Sequence, residues 1–283
     1  MNKDSLGDRM KSYENITRIY LPGRIPIIIR IDGKAFHTFT KGLEKPFDKM
    51  LNRVMQDTAK YLCKNIEGVK LAYTQSDEIS LLITNNDNWE ICPWFGNNLQ
   101  KMVSVAASMA TMAFNKYFAQ EVIDGLMTSF NINDMEWHDK LVNIYHPKLD
   151  TAMFDARVFV LPADEVCNYF IWRQQDAIRN SIQAVGQANF SHKELMNKNC
   201  ENIKQMLVEK NIKWESLPIS HQRGVCVIKK PTKVKTQFNT KNMSYVEMTR
   251  NRWTVDDNIP LFWEDRKYID CLFNHGGENY VEI

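Results

Sequence analysis

The sequence of 283 residues contains no apolar run approaching the roughly 18 residues that a membrane-spanning helix needs. Its first residues are polar and carry charges of both signs, unlike a secretory signal, and Arg and Ser are scarce there, unlike in a transit peptide. Its six cysteines show no CxxC spacing, which disfavours a zinc site or a disulfide framework. We therefore expect reduced, mostly buried thiols, no membrane partner and a cytoplasmic location, with an organellar matrix left open.

Internal repeats and low-complexity linkers are also missing, and the net charge is only +2. Bulk charge therefore predicts no class of partner, and local clusters have to be considered instead. Apolar residues make up 44% of the chain and charged residues 25%, which is typical of a globular protein. The length suits one large domain or two intertwined ones.

What the sequence does contain is a succession of strand and helix patterns. The β-branched run Ile25–Gly33 predicts a buried strand that ends in an Asp-Gly turn. Pro46 suits the first position of an amphipathic helix, and a second such helix runs from Asn98 to about Glu121. Between these helices, Leu71–Ile83 reads as two short strands joined near Gln75–Glu78.

A strand at Asp155–Pro162 and a helix from about Asp164 to Val185, ended by Gly186, follow these elements. A capping-box pattern at Ser191 predicts the start of a fourth helix. The order lacks a strict βαβ alternation. It indicates an α+β fold, an antiparallel sheet with helices on one face, followed by a C-terminal half of mixed helix and hairpin.

The region from Arg223 to Arg252 carries eight Lys or Arg residues and a single acid, Glu247. It opens with an apolar run and contains the turn-prone sequence KPTK, which predicts a hairpin. One interpretation is a solvated hairpin. The other is a surface for RNA phosphates, with contacts from four lysines: Lys229, Lys230, Lys233 and Lys235.

Two carboxylates stand at strand ends. If the strands are neighbours, Asp32 and Asp77 converge and repel each other unless a cation lies between them. Hard oxygen ligands indicate Mg²⁺, and a two-metal site would support in-line displacement at phosphorus. Glu78 points to the other strand face unless the turn re-aims it. The alternative is an ordinary turn and a solvated hairpin tip.

The turn after Asp32 adds phosphate donors. Gly33 would let the backbone approach a ligand, and successive turn amides can form an anion-binding nest. Lys34, His37 and Lys45 supply charged or polar donors nearby. Lys101, one turn inside the second helix, could reach the same sheet edge or be an ordinary solvated lysine.

Taken together, these segments resemble the tRNA-histidine guanylyltransferases and guanylyltransferase-like proteins, the 3′-to-5′ RNA polymerase family. The resemblance covers roughly residues 10 to 185 in the correct order, and its blocks are RIDGKAFHTFTK, EKPFD, LAYTQSDEISLL, FDARVFVLP and YFIWRQQDAIRNSI. It implies a polymerase-palm-like catalytic domain over residues 1–138. It also implies a closely packed tRNA-handling domain over 139–283, and a homotetramer built as a dimer of dimers.

The resemblance also implies roles for individual residues. Two Mg²⁺ ions would be held by Asp32, Asp77 and the carbonyl of Gly33, with Glu78 as a required acidic neighbour. Lys45 would act in catalysis on the phosphates. The nucleoside triphosphate, ATP, GTP or another, would lie against a set of turn and helix residues: Gly33, Lys34, Ala35, Phe36, His37, Ser76 and Lys101.

The implied reaction activates a tRNA 5′-monophosphate with ATP, after which the 3′-hydroxyl of an incoming nucleotide attacks that phosphate. Because WRQQD continues as AIRNSIQAVGQ, without the histidine- and asparagine-rich signature of eukaryotic enzymes, templated repair of 5′-truncated tRNA is favoured. Strict guanylyl addition to histidine tRNA is the alternative, followed by a palm-fold cyclase and a non-catalytic RNA-binding module. Arg173 and Asn180 either contact tRNA or belong, with Asp176, to a polar network within the fold.

Overall fold

The computed structural model describes residues 5–85, 92–132, 134–239 and 244–272, with the backbone alone at 235–239 and 244–247. Within these ranges six strands form one sheet: β1 (Ile27–Gly33), β2 (Val69–Gln75), β3 (Glu78–Ile83), β4 (Phe154–Val160), β5 (Val225–Asn239) and β6 (Ser244–Asp256). Their order is β4-β1-β3-β2-β5-β6, and every neighbouring pair is antiparallel. The α+β prediction with an antiparallel sheet is confirmed.

The helices of the described ranges vary from one turn to nine. They are α1 (Ser5–Asn15), α2 (Phe36–Phe39), α3 (Lys49–Asn65), α4 (Leu99–Asn131), α5 (Met135–Lys140), α6 (Val166–Asn189), α7 (His192–Leu195), α8 (Cys200–Glu209), α9 (Ile219–Arg223) and α10 (Lys267–Asp270). The long helices α3, α4 and α6 determine which parts of the sheet are covered and which stay open.

The alternation of side chains along β1 divides the core into two layers. Ile27, Ile29 and Ile31 pack in one cluster with buried residues of α3 and α4. Ile28 points to the opposite face and packs in a second cluster with Phe170 of α6. The helices of the first half thus lie on one face of the sheet. A helix of the C-terminal half covers part of the other face.

Three helix boundaries differ from the sequence-based expectation. The first long helix begins at Lys49, after Pro46, because the Asp48 carboxylate accepts the Leu51 N–H at 2.8 Å and caps that end. Gly186 lies inside α6, where an added Cβ would come within 2.9 Å of the Ile203 side chain; the glycine is therefore a packing contact with α8 and does not end the helix. The second predicted helix, α4, continues to Asn131.

The capping box at Ser191 is present, with the Glu194 side chain returning to the Ser191 backbone N–H, as the sequence predicts. The helix that it starts, α7, is only four residues long, so the fourth helix is shorter than the pattern suggests.

The sheet draws strands from both predicted domains. The boundary after residue 138 falls inside α5, and β4, β5 and β6 of the second half pair directly with β1 and β2 of the first. The division at 138/139 stays a prediction, and the two halves share one sheet.

The basic region forms the predicted hairpin, of which β5 pairs with β2 over Val225–Ile228 alone. Beyond Ile228, β6 is the one strand of the described residues that pairs with β5, and the two strands run on as a ribbon. Pro231 lies in this ribbon opposite Asn251, so KPTK is strand and not turn. A proline is tolerated here because β5 has lost its second neighbour and needs no ladder donor on that side.

No helix in the described part of the chain is long and apolar enough to cross a membrane. All six cysteines are free; Cys63, Cys167 and Cys226 are buried, whereas Cys92 and Cys271 are exposed. The prediction of free thiols is confirmed, and half of them are buried.

Candidate active site

The site is built where β1 ends beside the turn between β2 and β3. Asp32 pairs in register with Glu78, and the Gly33 N–H donates to the Asp77 carbonyl oxygen at 3.2 Å. Ser76 has a left-handed backbone, with φ of 50°, and its hydroxyl donates to the Asp77 carboxylate at 3.0 Å. The strand pairing that the sequence left conditional is therefore present, and Asp32 and Asp77 meet at one sheet edge.

The charge of this pair is weakly compensated. Burial raises the pKa of Asp77 above its ordinary value, and the nearby charge of Asp32 raises it further, against the opposing hydrogen bond from Ser76. Arg30 and Arg157 contact the Asp32 carboxylate only at 3.7 and 3.9 Å. An added cation at this edge would therefore relieve a real electrostatic cost.

The donor set fits magnesium. In the described ranges no three or more His, Cys, Asp or Glu residues are grouped to hold a metal. A metal at this edge would rely on two carboxylates, a backbone carbonyl and oxygens from outside the chain. Mg²⁺ is characteristically held in this way, by one or two carboxylates with waters and substrate phosphates.

Glu78 lies in a different environment from its neighbour Asp77. Its carboxylate contacts Arg30 at 3.0 Å and Arg173 at 3.1 Å, and its side chain is 6% exposed. Burial raises the pKa of Glu78, and the two guanidinium groups oppose that rise. The turn does not re-aim Glu78 toward Asp77; the side chain is part of an internal ion-pair network.

Arg173 extends that network along α6. Its side chain is 3% exposed and also contacts Asp176, which in turn bonds Arg179 and Asn180. Of the two interpretations from the sequence, the structure supports the internal polar network for Arg173, because a buried guanidinium has no surface to offer tRNA. Asn180 is exposed, so its predicted RNA contact stays a prediction.

The predicted triphosphate turn is only partly available to a ligand. The Gly33 and Lys34 N–H groups donate within the chain, to Asp77 and to the Met153 carbonyl oxygen. Phe36 is buried against Phe39, so only its backbone could meet a nucleotide. Gly33 is required because an added Cβ would lie 2.3 Å from the Phe36 ring.

The remaining members of the turn are open. Lys34, Ala35 and His37 are exposed, and Ala35 takes a left-handed backbone, with φ of 54°, at the start of α2. Their side chains stand on the surface beside Asp32, which is compatible with the predicted phosphate contacts.

Lys101 does not reach this edge. The residue of α4 that contacts it is Thr111, whose hydroxyl oxygen accepts the N–H of Phe154, the partner of Gly33 in the sheet. Ten residues of helix separate Lys101 from Thr111, a rise of about 15 Å. Lys101 is instead exposed near the Phe95 ring.

A cleft of about 240 Å³ adjoins the hairpin turn, between the start of α3 and one face of α6. It brings together three predicted residues from distant parts of the chain: Lys45, Ser76 and Asn180. Sequence reasoning missed its aromatic wall, in which the Phe47 and His221 rings stack with their centroids 4.6 Å apart. Burial lowers the pKa of His221, which keeps this wall uncharged at neutral pH.

Asp155 and Arg157 are further residues missed at the site. Asp155 pairs in register with Asp32, and Arg157 with Arg30. The alternation of charged and apolar residues in FDARVFV was the available signal, since alternate residues of a strand share a face.

The predicted RNA-binding lysines lie on the ribbon. Lys229, Lys230 and Lys233 are exposed, Lys230 pairs with Asp256 at 3.1 Å, and Lys229 lies over the Trp253 ring. The Lys235 side chain lies outside the described residues. These lysines lead away from the hairpin turn, because β5 runs from its Thr74 pairing toward the far end of the ribbon.

Comparison with known proteins shows that this arrangement belongs to a nucleotidyltransferase. A model of the Thg1 family, tRNAHis guanylyltransferase, matches residues 7–162, more than half of the chain. The chain belongs to that family, and the predicted resemblance is confirmed.

Individual relatives cover different parts of the chain. A solved structure of a bacterial tRNA(His) guanylyltransferase (Thg1)-like protein in complex with ATP is 45% identical, with a TM-score of 0.77, over 95% of this chain and 98% of that one. An uncharacterized protein of Acanthamoeba polyphaga mimivirus is 26% identical over 98% of this chain and 95% of its own length. The tRNA(His) guanylyltransferase of Debaryomyces hansenii is 31% identical over 55% of this chain and 51% of its own.

Proposed function

We propose that the chain adds nucleotides to the 5′ end of tRNA in the 3′-to-5′ direction, directed by the opposite strand, and so repairs 5′-truncated tRNA. The carrying observation is the meeting of Asp32 and Asp77 at one sheet edge, beside a cleft that contains Lys45 and Ser76. A site of this composition suits phosphoryl transfer, in which positioning and charge stabilisation supply most of the catalysis.

Nucleoside triphosphates are the proposed small substrates. The bacterial relatives of known structure were solved in complex with ATP and with GTP, and they are 45% and 42% identical to this chain. The exposed Lys34 and His37 would contact phosphates beside Asp32, and Lys45 would do so from the cleft. The stacked rings of Phe47 and His221 offer the base a flat apolar surface.

Magnesium would be held by the carboxylates of Asp32 and Asp77 and by the Gly33 carbonyl oxygen. When bound as a pair, the ions would favour the attacking hydroxyl as a nucleophile and stabilise charge on the leaving oxygen. The protein's own contribution is to fix both carboxylates through the strand pairing and the Gly33–Asp77 hydrogen bond, and to align phosphates with Lys45.

In the proposed sequence, ATP first adenylylates the tRNA 5′-monophosphate and releases pyrophosphate. The 3′-hydroxyl of the incoming nucleotide then attacks that phosphate and releases AMP. A tRNA that already carries a 5′-triphosphate would skip the first step and release pyrophosphate in the second.

The tRNA would be held at two places. Asn180, which lines the cleft, would contact the tRNA near the 5′ end of the RNA. The basic ribbon of β5 and β6 would meet the phosphate backbone farther along the molecule, since its lysines lie away from the carboxylates. The homotetramer and the cytoplasmic location stay predictions.

Repair is preferred over strict guanylyl addition because the helix that carries Arg173 continues as AIRNSI, without the histidine- and asparagine-rich signature. The neighbouring face of that helix lines the cleft with small and amide side chains, among them Ala177, Asn180 and Ser181.

The test is to incubate the protein with tRNA lacking its first nucleotide, Mg²⁺, ATP and all four nucleotides, and to analyse growth at each end. We expect templated extension at the 5′ end, lost on chelation of Mg²⁺ and absent on intact tRNA. Addition of G alone, confined to histidine tRNA, would favour the guanylyl alternative. Cyclic nucleotide products would indicate a cyclase, and binding without turnover an RNA-binding module.

A further inference from the structure

Trp172 stands exposed on the face of the sheet that carries the catalytic aspartate. Ile28, Arg30 and Asp32 alternate onto that face, and α6 covers it at Ile28 but leaves Asp32 open. Where the cover ends, Trp172 of α6 is 53% exposed.

Contacts with two arginines and a tyrosine hold the Trp172 indole in place. The Arg173 guanidinium carbon lies 4.1 Å from its ring centroid, and that of Arg30 lies at 5.9 Å. The Tyr169 ring meets its edge at 5.9 Å. Arg30 also contacts the Asp32 and Glu78 carboxylates, so one guanidinium links the indole to the carboxylate pair.

The two sides of the carboxylate pair differ in character. The cleft lies on the side of β2, where it is lined by Gln75 and Ser76. Trp172 lies on the side of β4, because its neighbour Tyr169 packs against Phe159 of that strand. On the same side Arg157, 56% exposed, contacts the Asp32 and Asp155 carboxylates only at 3.9 and 3.7 Å.

An in-line displacement requires the attacking and leaving oxygens to lie on opposite sides of the phosphorus. In this reaction the group opposite the attacking 3′-hydroxyl is the leaving AMP or pyrophosphate, and the RNA stays bonded to the phosphorus. If the incoming nucleotide occupies the cleft on the β2 side, the open β4 side of the carboxylates is left for the RNA end. An exposed indole braced by guanidinium groups offers a flat surface on which the terminal base of the RNA can stack, and the loosely paired Arg157 can contact its phosphate.

We propose that Trp172 and Arg157 form the binding surface for the 5′-terminal nucleotide of the RNA, with the base stacked on the indole and the phosphate contacted by Arg157. This surface deepens the function proposed above and rests on it.

The test uses a 5′-truncated tRNA with 2-aminopurine as its first nucleotide, Mg²⁺ and no triphosphates, so that binding is measured without turnover. We expect the wild-type protein to quench the 2-aminopurine fluorescence by stacking. Trp172→Leu should lose the quenching and bind about tenfold more weakly, whereas Trp172→Phe should keep most of both. Arg157→Gln should weaken binding and leave the quenching of the bound complex intact.

Trp263→Leu is the matched control, because this tryptophan is 41% exposed and lies outside the site. Quenching that survives in a folded Trp172→Leu protein, or is lost equally in the control, would overturn the proposal. An absence of tRNA binding by the wild-type protein would do the same.

Failure of the proposed function gives a different result. Trp172-dependent quenching with no nucleotide addition would sustain the RNA surface and remove the polymerase activity. Nucleotide addition with quenching that ignores Trp172 would remove only the surface.

Discussion

Asp77 and Glu78 are adjacent in sequence and carry the same charge, but the fold surrounds them with opposite environments. The buried Glu78 carboxylate lies between the guanidinium groups of Arg30 and Arg173. Asp77 lies near the charge of Asp32, and within the described part of the chain its carboxylate receives one side-chain hydrogen bond, from the Ser76 hydroxyl. The difference follows from position, since Asp77 lies in the turn between β2 and β3, whereas Glu78 is the first residue of β3 and pairs with Asp32.

The comparison shows where the protein places positive charge. Both strong guanidinium contacts go to the carboxylate that braces the hairpin. The pair at the edge is left with contacts of 3.7 Å or longer to Arg30 and Arg157. Glu78 therefore braces the fold, whereas Asp32 and Asp77 are left without a close cationic partner among the described residues. We expect different effects when each of these carboxylates is changed.

The largest expected effect is on activity. Asp32→Asn and Asp77→Asn each keep the shape of the side chain but remove the charge that would hold Mg²⁺. We expect nucleotide addition to fall by about 10²–10³-fold or more, with tRNA affinity retained. Single-turnover addition to truncated tRNA measures the loss, and exposed Asp57 on α3, changed to Asn, is the control. Near-normal turnover in either variant would refute the metal assignment.

The next effect is on stability. Glu78→Gln removes one of the two carboxylates that the buried Arg173 guanidinium contacts, and also the contact with Arg30, so the free energy of unfolding should fall by up to about 3–5 kcal/mol. Urea unfolding followed by circular dichroism would measure the change. Glu67→Gln, an exposed acid at the far end of the same hairpin, should change it by less than about 0.5 kcal/mol. Equal losses of stability in the Glu78→Gln and Glu67→Gln proteins would show that Glu78 does not brace the fold and would remove the contrast with Asp77.

The smallest effect has the opposite sign. Because the pKa of folded Asp77 lies above its ordinary value of 3.8, the unfolded chain gives up its proton first and stability falls as pH rises through that interval. Asn cannot ionise, so Asp77→Asn should stabilise the metal-free protein at neutral pH, by less than about 1 kcal/mol, and lose this advantage toward acid pH.

Thermal unfolding with EDTA and with Mg²⁺ would test this sign. Magnesium should stabilise the wild-type protein and leave the Asn variant unchanged. A metal-free variant that is less stable than wild type at pH 7 would contradict the assignment of Asp77 as an uncompensated acid.

The sequence predicts the parts of this site that depend on local pattern. The strand ending at Asp-Gly and the paired apolar runs around Asp77 are enough to bring Asp32 and Asp77 to one edge once the strands are neighbours. The Glu78 network could not be predicted in the same way, because Arg30, Glu78 and Arg173 come from three separate elements. Their convergence depends on how α6 crosses the sheet.

Boundaries that depend on tertiary packing were also beyond local rules. A glycine such as Gly186 is typical of a helix end, but this one lies inside α6, where the side chain of Ile203 packs too closely for an added Cβ. A lysine such as Lys101 is a typical phosphate contact, but it lies ten residues before Thr111, the residue of α4 that meets the sheet near the carboxylates. A single helix can be predicted well from its pattern while its position along the sheet cannot.

The strand order has a consequence for how the chain acquires its shape. Asp32 pairs with Asp155 and Thr74 pairs with Val225, so both flanks of the central β1-β3-β2 unit are filled by residues made much later on the ribosome. Such distant pairings slow folding. Until they form, the β-branched segment of β1 presents an open edge that other nascent chains can join. The β4 edge of β1 therefore stays unpaired until the second half of the chain has been synthesised.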